Sequence, residues 1–495
     1  MGELTVFNGS NDHKCHFVLV PLMAQGHMIP MVDMAQIIAA RGALVSFVTT
    51  PVNAARIRPI IDRVKSHGLP IRFVELTFPC AESGLPEGCE NVDLLPSMDL
   101  TRPFFDAVSL LRGPFESFVR DVEPVPSCMI VDYCSSFTAG IAQEMDIPRI
   151  IFHGPSCFYI LCFQNLWEHK EYHEVDEFEP IVIPDMAQQV KISRAQAPGW
   201  FPGPDWKEVR DKAMEAEVSA QGVIVNTFHE LEPEFVECYR KKIKKPVWPI
   251  GPFSLYNKDF TSKASRGKKS SVDERQVSSW LDSKETRSVV FVNFGSLVRT
   301  KVCQLIEIGR GLLASNRPFI WVLKEEEECC PEFRQWMSEE LEGMEAGERS
   351  LVITGWAPQA VILSHPSVGG FVTHCGWNSI LEAVCAGVPM ITWPHFADQF
   401  LNEKLVVEVL KVGVDIGVRI PVYMMKENEV SVKGEAVEKA ISRLMDDETD
   451  EESKERRGRA AKLAQNAWKA MEEGGSSYEN LTRLIEYVSE SSKLA

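Results

Sequence analysis

The sequence predicts an α/β protein made of two parallel-sheet domains, and three observations carry that prediction. Val/Ile-rich runs of four to eight residues recur along the chain with helical stretches between them; continuous apolar strands of this kind belong to sheets covered on both faces. The alternation occurs twice and breaks once, at Pro246-Val247-Trp248-Pro249-Ile250-Gly251-Pro252, where three prolines and a glycine in seven residues read as a stiff connector. The length of 495 residues favours two or three domains. A hydrophobic share of 45% and a charged share of 25% suit a globular chain and exclude a mostly disordered or collagen-like one.

The elements follow in order. Residues 15–21 form an apolar run that ends in the loop Ala24-Gln25-Gly26-His27. Residues 30–41 have helical spacing, with proline at the start and Gly42 just past the end. Strands are expected at 43–49, 71–78, 127–132, 149–153 and 222–228. After the connector, residues 258–275 are polar and Ser/Lys-rich and read as a mobile loop. The second alternation places strands at 288–293, 319–323, 351–354, 370–373 and 390–393. Helices fall at 302–314, 378–386 and 400–410, and only helical patterns follow residue 435. Ligands of open parallel sheets bind beyond the carboxyl ends of the strands, so two such sheets facing each other predict one deep cleft.

Charge and cysteines narrow the partners. A net charge of -18 argues against nucleic acid and anionic membrane, which need clustered Lys/Arg. The short basic runs at 241–245 and 268–269 read as solvated loop charge. No apolar run approaches the ~18 residues of a membrane span. The thirteen cysteines are scattered, with no C-x-x-C pair, which fits free thiols in a reducing cytoplasm. Residues 1–14 lack the apolar core of a signal peptide. Without one, the glycosylation-like Asn8-Gly9-Ser10 and Asn480-Leu481-Thr482 carry little meaning. The nearest approach to a metal cluster, His13-Lys14-Cys15-His16, opens the first strand, and no metal is expected.

The densest chemical signal runs from Trp356 to Gln399: WAPQAVILSHPSVGGFVTHCGWNSILEAVCAGVPMITWPHFADQ. His374-Cys375-Gly376-Trp377 reads as a tight strand-to-helix turn, and Asn378-Ser379 opens the helix. N–H groups at a helix start attract phosphate, and Gly376 permits close backbone approach. Glu382, four residues after Asn378, lies on the same helix face and suits a ribose diol. Trp356 suits stacking on a flat base, and Asp398 with Gln399 suits sugar hydroxyls. Taken singly, each residue also fits an ordinary role: core tryptophans, a solvated glutamate, a satisfied histidine. A thiol nucleophile at Cys375 is a further, weaker reading.

This 44-residue stretch resembles the signature box of plant family-1 UDP-sugar glycosyltransferases from end to end. PLMAQGHMIPMVDMA near the start, VNTFHELE at 225–232 and VVFVNFGS at 289–296 resemble other landmarks of that family. The resemblance implies the GT-B fold, two facing Rossmann-like domains with a deep interdomain cleft. It implies an acceptor-binding domain over 1–248, a UDP-sugar-binding domain over 249–475, and a C-terminal helix, 476–495, returning to the first. It also implies roles. Trp356 would stack on uracil, and Ala357 and Gln359 would read its edge. Glu382 would hold the ribose, and Ser296, His374, Gly376, Asn378 and Ser379 the diphosphate. Trp377, Asp398 and Gln399 would contact the sugar, and the pattern goes most often with UDP-glucose. Another UDP-sugar (rhamnose, galactose or glucuronic acid) and a non-catalytic sugar-nucleotide-binding protein are the alternatives.

In the first domain, His27 and Asp132 each follow a strand, 105 residues apart. By the resemblance, His27 takes the proton of the acceptor hydroxyl and Asp132 orients its ring. The expected reaction is an inverting displacement needing no metal or cofactor beyond the UDP-sugar co-substrate. The expected enzyme is a monomer, with flavonoids, terpenoids, steroids and hormones open as acceptors. The sequence departs from the family at Ser136-Phe137-Thr138, where a Pro-Trp-Thr segment is usual, and at Phe152-His153-Gly154-Pro155-Ser156. The loops 78–100 and 183–204 vary widely in the family it resembles. Phe104, Phe105, Phe158, Trp200 and Phe201 are candidate walls on the acceptor side.

Overall fold

The computed structural model describes residues 15–197, 199, 204–341, 348–426, 428–446 and 450–494. Asn8, His13, Lys14, Trp200 and Phe201 lie outside them. The first half supplies β1 (His16–Val20), β2 (Leu44–Thr49), β3 (Ile71–Glu75), β4 (Cys128–Asp132) and β5 (Arg149–His153). A small antiparallel hairpin follows, β6 (Ile181–Val182) with β7 (Lys191–Ile192), and then β8 (Gly222–Val225) and β9 (Val247–Pro249). The seven long-range strands form one parallel sheet in the order β3-β2-β1-β4-β5-β8-β9. The second half supplies β10 (Val289–Asn293), β11 (Phe319–Leu323), β12 (Ser350–Thr354), β13 (Val368–Thr373), β14 (Met390–Thr392) and β15 (Gly413–Asp415). They form a second parallel sheet in the order β12-β11-β10-β13-β14-β15. Every residue of β1, β4 and β5 is buried, as expected when helices cover both faces.

The strand order reverses between β1 and β4 in the first sheet and between β10 and β13 in the second. Such switch points open crevices at the carboxyl ends of their strands. The register brings Val20 beside Val131 in one sheet and Asn293 beside Thr373 in the other. The segments after β1 and β4, carrying His27 and Asp132, therefore meet at one crevice. Those after β10 and β13, carrying Ser296 and His374, meet at the other.

Several sequence expectations are corrected here. The first helix, α1, spans Gln25–Ala40, with Pro30 inside it. His27 therefore sits in a first helical turn and not in a loop. The connector contains β9, whose prolines are tolerated because it is an edge strand; the first sheet thus runs to Pro249. The segment expected to be mobile is ordered by a short helix, Phe260–Ala264, and by buried contacts of Arg266. The run at 241–245 belongs partly to the helix Pro233–Ile243, and Lys268 pairs with Asp93 at 2.5 Å. The C-terminal helix Ser476–Leu494 packs on the first sheet: Ser477 Oγ donates to the Gly251 carbonyl (2.5 Å) and Asn480 Nδ2 to that of Pro249 (3.0 Å). Asn480 is buried there, which removes it as a glycosylation acceptor.

Candidate active site

His27 stands where α1 leaves β1, and Asp132 is the last residue of the neighbouring β4. The His27 Nδ1–H donates to Asp132 Oδ2 at 2.7 Å. The other carboxylate oxygen, Oδ1, accepts the backbone N–H of Cys134 at 2.9 Å. Asp132 is thus oriented from two sides, and its carboxylate assigns the ring proton to Nδ1, which gives Nε2 the basic lone pair. The imidazole is 12% exposed and the carboxylate 1%. Burial alone would push the imidazole down. The Asp132 carboxylate, by charge and hydrogen bond, and the charge of Asp398 outweigh that and hold His27 above its ordinary 6.5. A buried, carboxylate-supported imidazole of this kind suits general-base work.

The facing crevice is built by the predicted box. β13 ends at Thr373, Cys375 takes a left-handed φ of +65°, and the helix Trp377–Ala386 starts after Gly376. His374 packs so closely that a Cβ on Gly376 would lie 2.3 Å from its Nε2. Burial and the nearby Lys324 ammonium lower His374 to about 4, so it is neutral and acts as a donor or acceptor rather than a cation. Gly376→Ala is expected to displace that ring and weaken UDP binding by about tenfold, the scale of one hydrogen bond to a charged group. Calorimetric titration with UDP measures this; unchanged affinity would remove His374 from the nucleotide site. Burial pushes the Cys375 thiol well above its ordinary range, which keeps it protonated and argues against a nucleophilic role.

The remaining box residues converge on the same cleft. Glu382 Oε2 accepts from Gln359 Nε2 (2.9 Å), which also donates to Ser379 Oγ (3.1 Å). Trp356 and Ala357 follow β12, and the Trp356 N–H donates to Ser271 Oγ (2.8 Å). Asn378 Nδ2 donates to the Gly26 carbonyl (2.7 Å), joining the Trp377 helix to the His27 turn. Asp398 accepts from Asn402 Nδ2 (2.8 Å), and burial pushes its carboxyl up to about 6. Gln399 Oε1 accepts the N–H groups of His395 and Phe396 (2.8 and 3.2 Å), so its amide nitrogen is the end suited to a sugar hydroxyl. The Trp377 ring, expected at the sugar, is buried, and its Nε1 donates across the cleft to the Asn226 carbonyl (2.7 Å). Among the described residues no group of three or more His, Cys, Asp or Glu is placed to hold a metal. The His16 ring is enclosed by the Pro124 carbonyl (2.6 Å) and Ser46 Oγ (2.9 Å).

Two residues near the candidate site were not singled out from the sequence, and others take places different from those expected. Lys324 follows β11 at its carboxyl end, and its Nζ donates to the Ser296 carbonyl at 2.9 Å. Burial lowers it to about 8. Its place at a strand end beside the switch point was the available signal. Among the described residues the buried Tyr159 hydroxyl has no hydrogen-bond partner, and burial together with the Asp398 charge raises it well above the tyrosine range. Its neighbour Phe158 is instead core, packed edge-on against Phe235. Phe104 is likewise fully buried against Phe78, whereas Phe105 is partly buried and meets Trp206. His153 is turned into the domain, where its Nε2 meets Glu217 at 2.8 Å.

Two Rossmann-like domains with facing switch-point crevices make up the GT-B architecture of sugar-nucleotide-dependent transferases. Residues 13–255 match the family model "Glycosyltransferase, N-terminal domain", and residues 220–453 match "UDP-glucoronosyl and UDP-glucosyl transferase". The chain is 46% identical over 481 residues to UDP-glycosyltransferase 73C5 of Arabidopsis thaliana, covering 96% of this chain and 97% of the relative. UDP-glycosyltransferase 73E1 of Stevia rebaudiana is 46% identical over 486 residues, with 96% of each chain covered. Among solved structures, Glycyrrhiza uralensis UGT73P12 complexed with glycyrrhetinic acid 3-O-monoglucuronide superposes with a TM-score of 0.87 at 35% identity, covering 97% of this chain and 96% of that one. Arabidopsis thaliana UGT89C1 complexed with UDP-L-rhamnose gives 0.75 at 28%, covering 96% and 100%. The chain belongs to the plant UDP-glycosyltransferases of family 73, enzymes that glycosylate small metabolites. It binds a sugar nucleotide and a small-molecule acceptor. No helix among the described residues is long and apolar enough to cross a membrane.

Proposed function

We propose that this enzyme is an inverting O-glucosyltransferase that moves glucose from UDP-glucose to a hydroxyl of a lipophilic plant metabolite. The observation that carries the reading is the 2.7 Å His27–Asp132 bond at one switch point, with the donor box facing it. Trp356, Ala357 and Gln359 take the uracil, and Glu382 the ribose. Ser296, His374, Gly376, Asn378 and Ser379 take the diphosphate, and Asp398 and Gln399 take the hexose. Trp377 acts at the sugar through its backbone, since its ring ties the domains together. His27 Nε2 accepts the acceptor O–H proton while that oxygen attacks the anomeric carbon from the face opposite UDP. The bond from the anomeric carbon to the β-phosphate oxygen breaks, its electron pair leaves with UDP, and the configuration inverts. Asp132 stabilises the imidazolium that forms. Charge growing on the diphosphate is met by the N–H groups opening the Trp377 helix and by Lys324 nearby, so no metal is required.

The pairing of Gln399 with Trp377 in the box supports glucose as the donor sugar. The thirteen free cysteines support a reducing, cytoplasmic setting, and the net charge of -18 supports a monomer through mutual repulsion. One experiment tests the reading. The enzyme is incubated in EDTA with UDP-glucose, UDP-rhamnose, UDP-galactose or UDP-glucuronic acid against a panel of flavonols, terpenoids and sterols. The expected result is a glucoside from UDP-glucose in clear excess over the other sugars. Preferred transfer from another nucleotide overturns the donor assignment, and loss of product in EDTA overturns the metal-free one.

A further inference from the structure

The segment joining the two sheets carries an ion cluster that the transfer chemistry does not itself use. Arg266 Nε donates to Asp33 Oδ2 on α1 at 2.7 Å, and Arg266 Nη1 donates to Glu382 Oε1 on the Trp377 helix. All three side chains are almost fully buried, at 7%, 2% and 8% exposure. Asp33 Oδ1 also accepts Asn257 Nδ2 (2.8 Å). Buried charges persist only when paired, and Arg266 is the cation between two carboxylates from different domains. Next to it, Gly267 has φ +90°, and a Cβ there would lie 2.5 Å from Trp356 Cζ2, so the segment is pinned against the proposed base-stacking ring. Gln359 Nε2 holds Glu382 from the other side through Oε2. Each carboxylate oxygen has two lone pairs, so both can still accept ribose hydroxyls.

We propose that Arg266 is a positioning residue that fixes Glu382 for the ribose and, through Asp33, ties the nucleotide grip to the helix bearing His27. Asp33 lies six residues after His27 on α1, so nucleotide binding and base placement share one rigid element. The proposal rests on the donor-site reading above. The test is calorimetric titration of full-length wild type, Arg266→Gln, Asp33→Asn and the double variant with UDP and with 2′-deoxy-UDP, alongside thermal melting. Arg266→Gln is expected to weaken UDP by about tenfold or more, the loss of a hydrogen bond between charged groups. Asp33→Asn, which removes one carboxylate partner of Arg266 and leaves Glu382 in place, should weaken it too, and the double variant should be no weaker than Arg266→Gln alone. The loss should be smaller with 2′-deoxy-UDP, because the lost grip acts on ribose hydroxyls.

Wild-type affinity in both single variants, tighter binding in either, independent effects that multiply, or equal losses with the two nucleotides would each overturn it. If Arg266→Gln does not fold, Arg266→Lys takes its place in the cycle under the same criteria, since it keeps the charge and loses the fork. A wild type that does not bind UDP overturns the donor-site reading and this inference together. A wild type that binds, with variants that match it, overturns this inference alone.

Discussion

His27→Ala lowers kcat by about 10²–10⁴-fold, the range that a positioned general base contributes, while UDP binds as tightly as to the wild type. The reason is spatial. His27 belongs to α1 and the first sheet, while the proposed nucleotide grip is built by Trp356, Glu382 and the Trp377 helix on the second. The imidazole is held by Asp132, itself held by the Cys134 N–H, so its removal leaves the proposed donor crevice standing. Single-turnover product formation from UDP-glucose, with UDP titration in parallel, measures both halves. Retained turnover would show that another group takes the proton, and lost UDP affinity would show that the variant disturbed the cleft.

Asp132→Asn has the second-largest expected effect, a fall in kcat/KM of about 10²-fold or more, because the amide neither assigns the ring proton nor stabilises the imidazolium. Its pH dependence carries the sharper sign. In the wild type the base must be unprotonated, so kcat/KM rises with pH through a His27 value held above 6.5. Burial pushes that value down, and the Asp132 charge and hydrogen bond, with the charge of Asp398, push it up. With Asp132 neutral, its charge and hydrogen bond no longer oppose burial, while the charge of Asp398, whose own carboxyl ionises at about 6, remains. The acid limb therefore moves to lower pH, toward the ionisation of Asp398, while the plateau drops. A limb that stays in place or moves to higher pH contradicts the assignment of that titration to the His27–Asp132 pair.

Much of the fold was legible because its signals are local. A Val/Ile run, a glycine turn and a helix start are each written within a dozen residues, and the helix Val302–Ala314 has the predicted bounds. Weaker elements were not legible. β9 was hidden by its prolines, which an edge strand tolerates, and α1 begins five residues before the proline expected to open it. Within the site, the box residues were legible because strand, turn and helix bring neighbours in sequence to one crevice. The ring of Trp377 and the buried places of Phe158 and Tyr159 were not. An aromatic side chain in an apolar helix start reads the same whether it faces the core or the cleft.

By itself, the sequence determined the class of fold, the two alternations, the box motif and the residue types able to move a proton. The resemblance already paired His27 with Asp132, and only the tertiary structure gave that pair its geometry and decided the other meetings. It set His27 on Asp132 across 105 residues, brought Lys324 to the Ser296 turn, and placed Arg266, from a segment that reads as loose polar loop, between Asp33 and Glu382. The physical reason is that periodicity and turn chemistry act over a few residues. The partner of a buried charge is chosen by strand order and by how two domains face each other, and no local pattern records that choice.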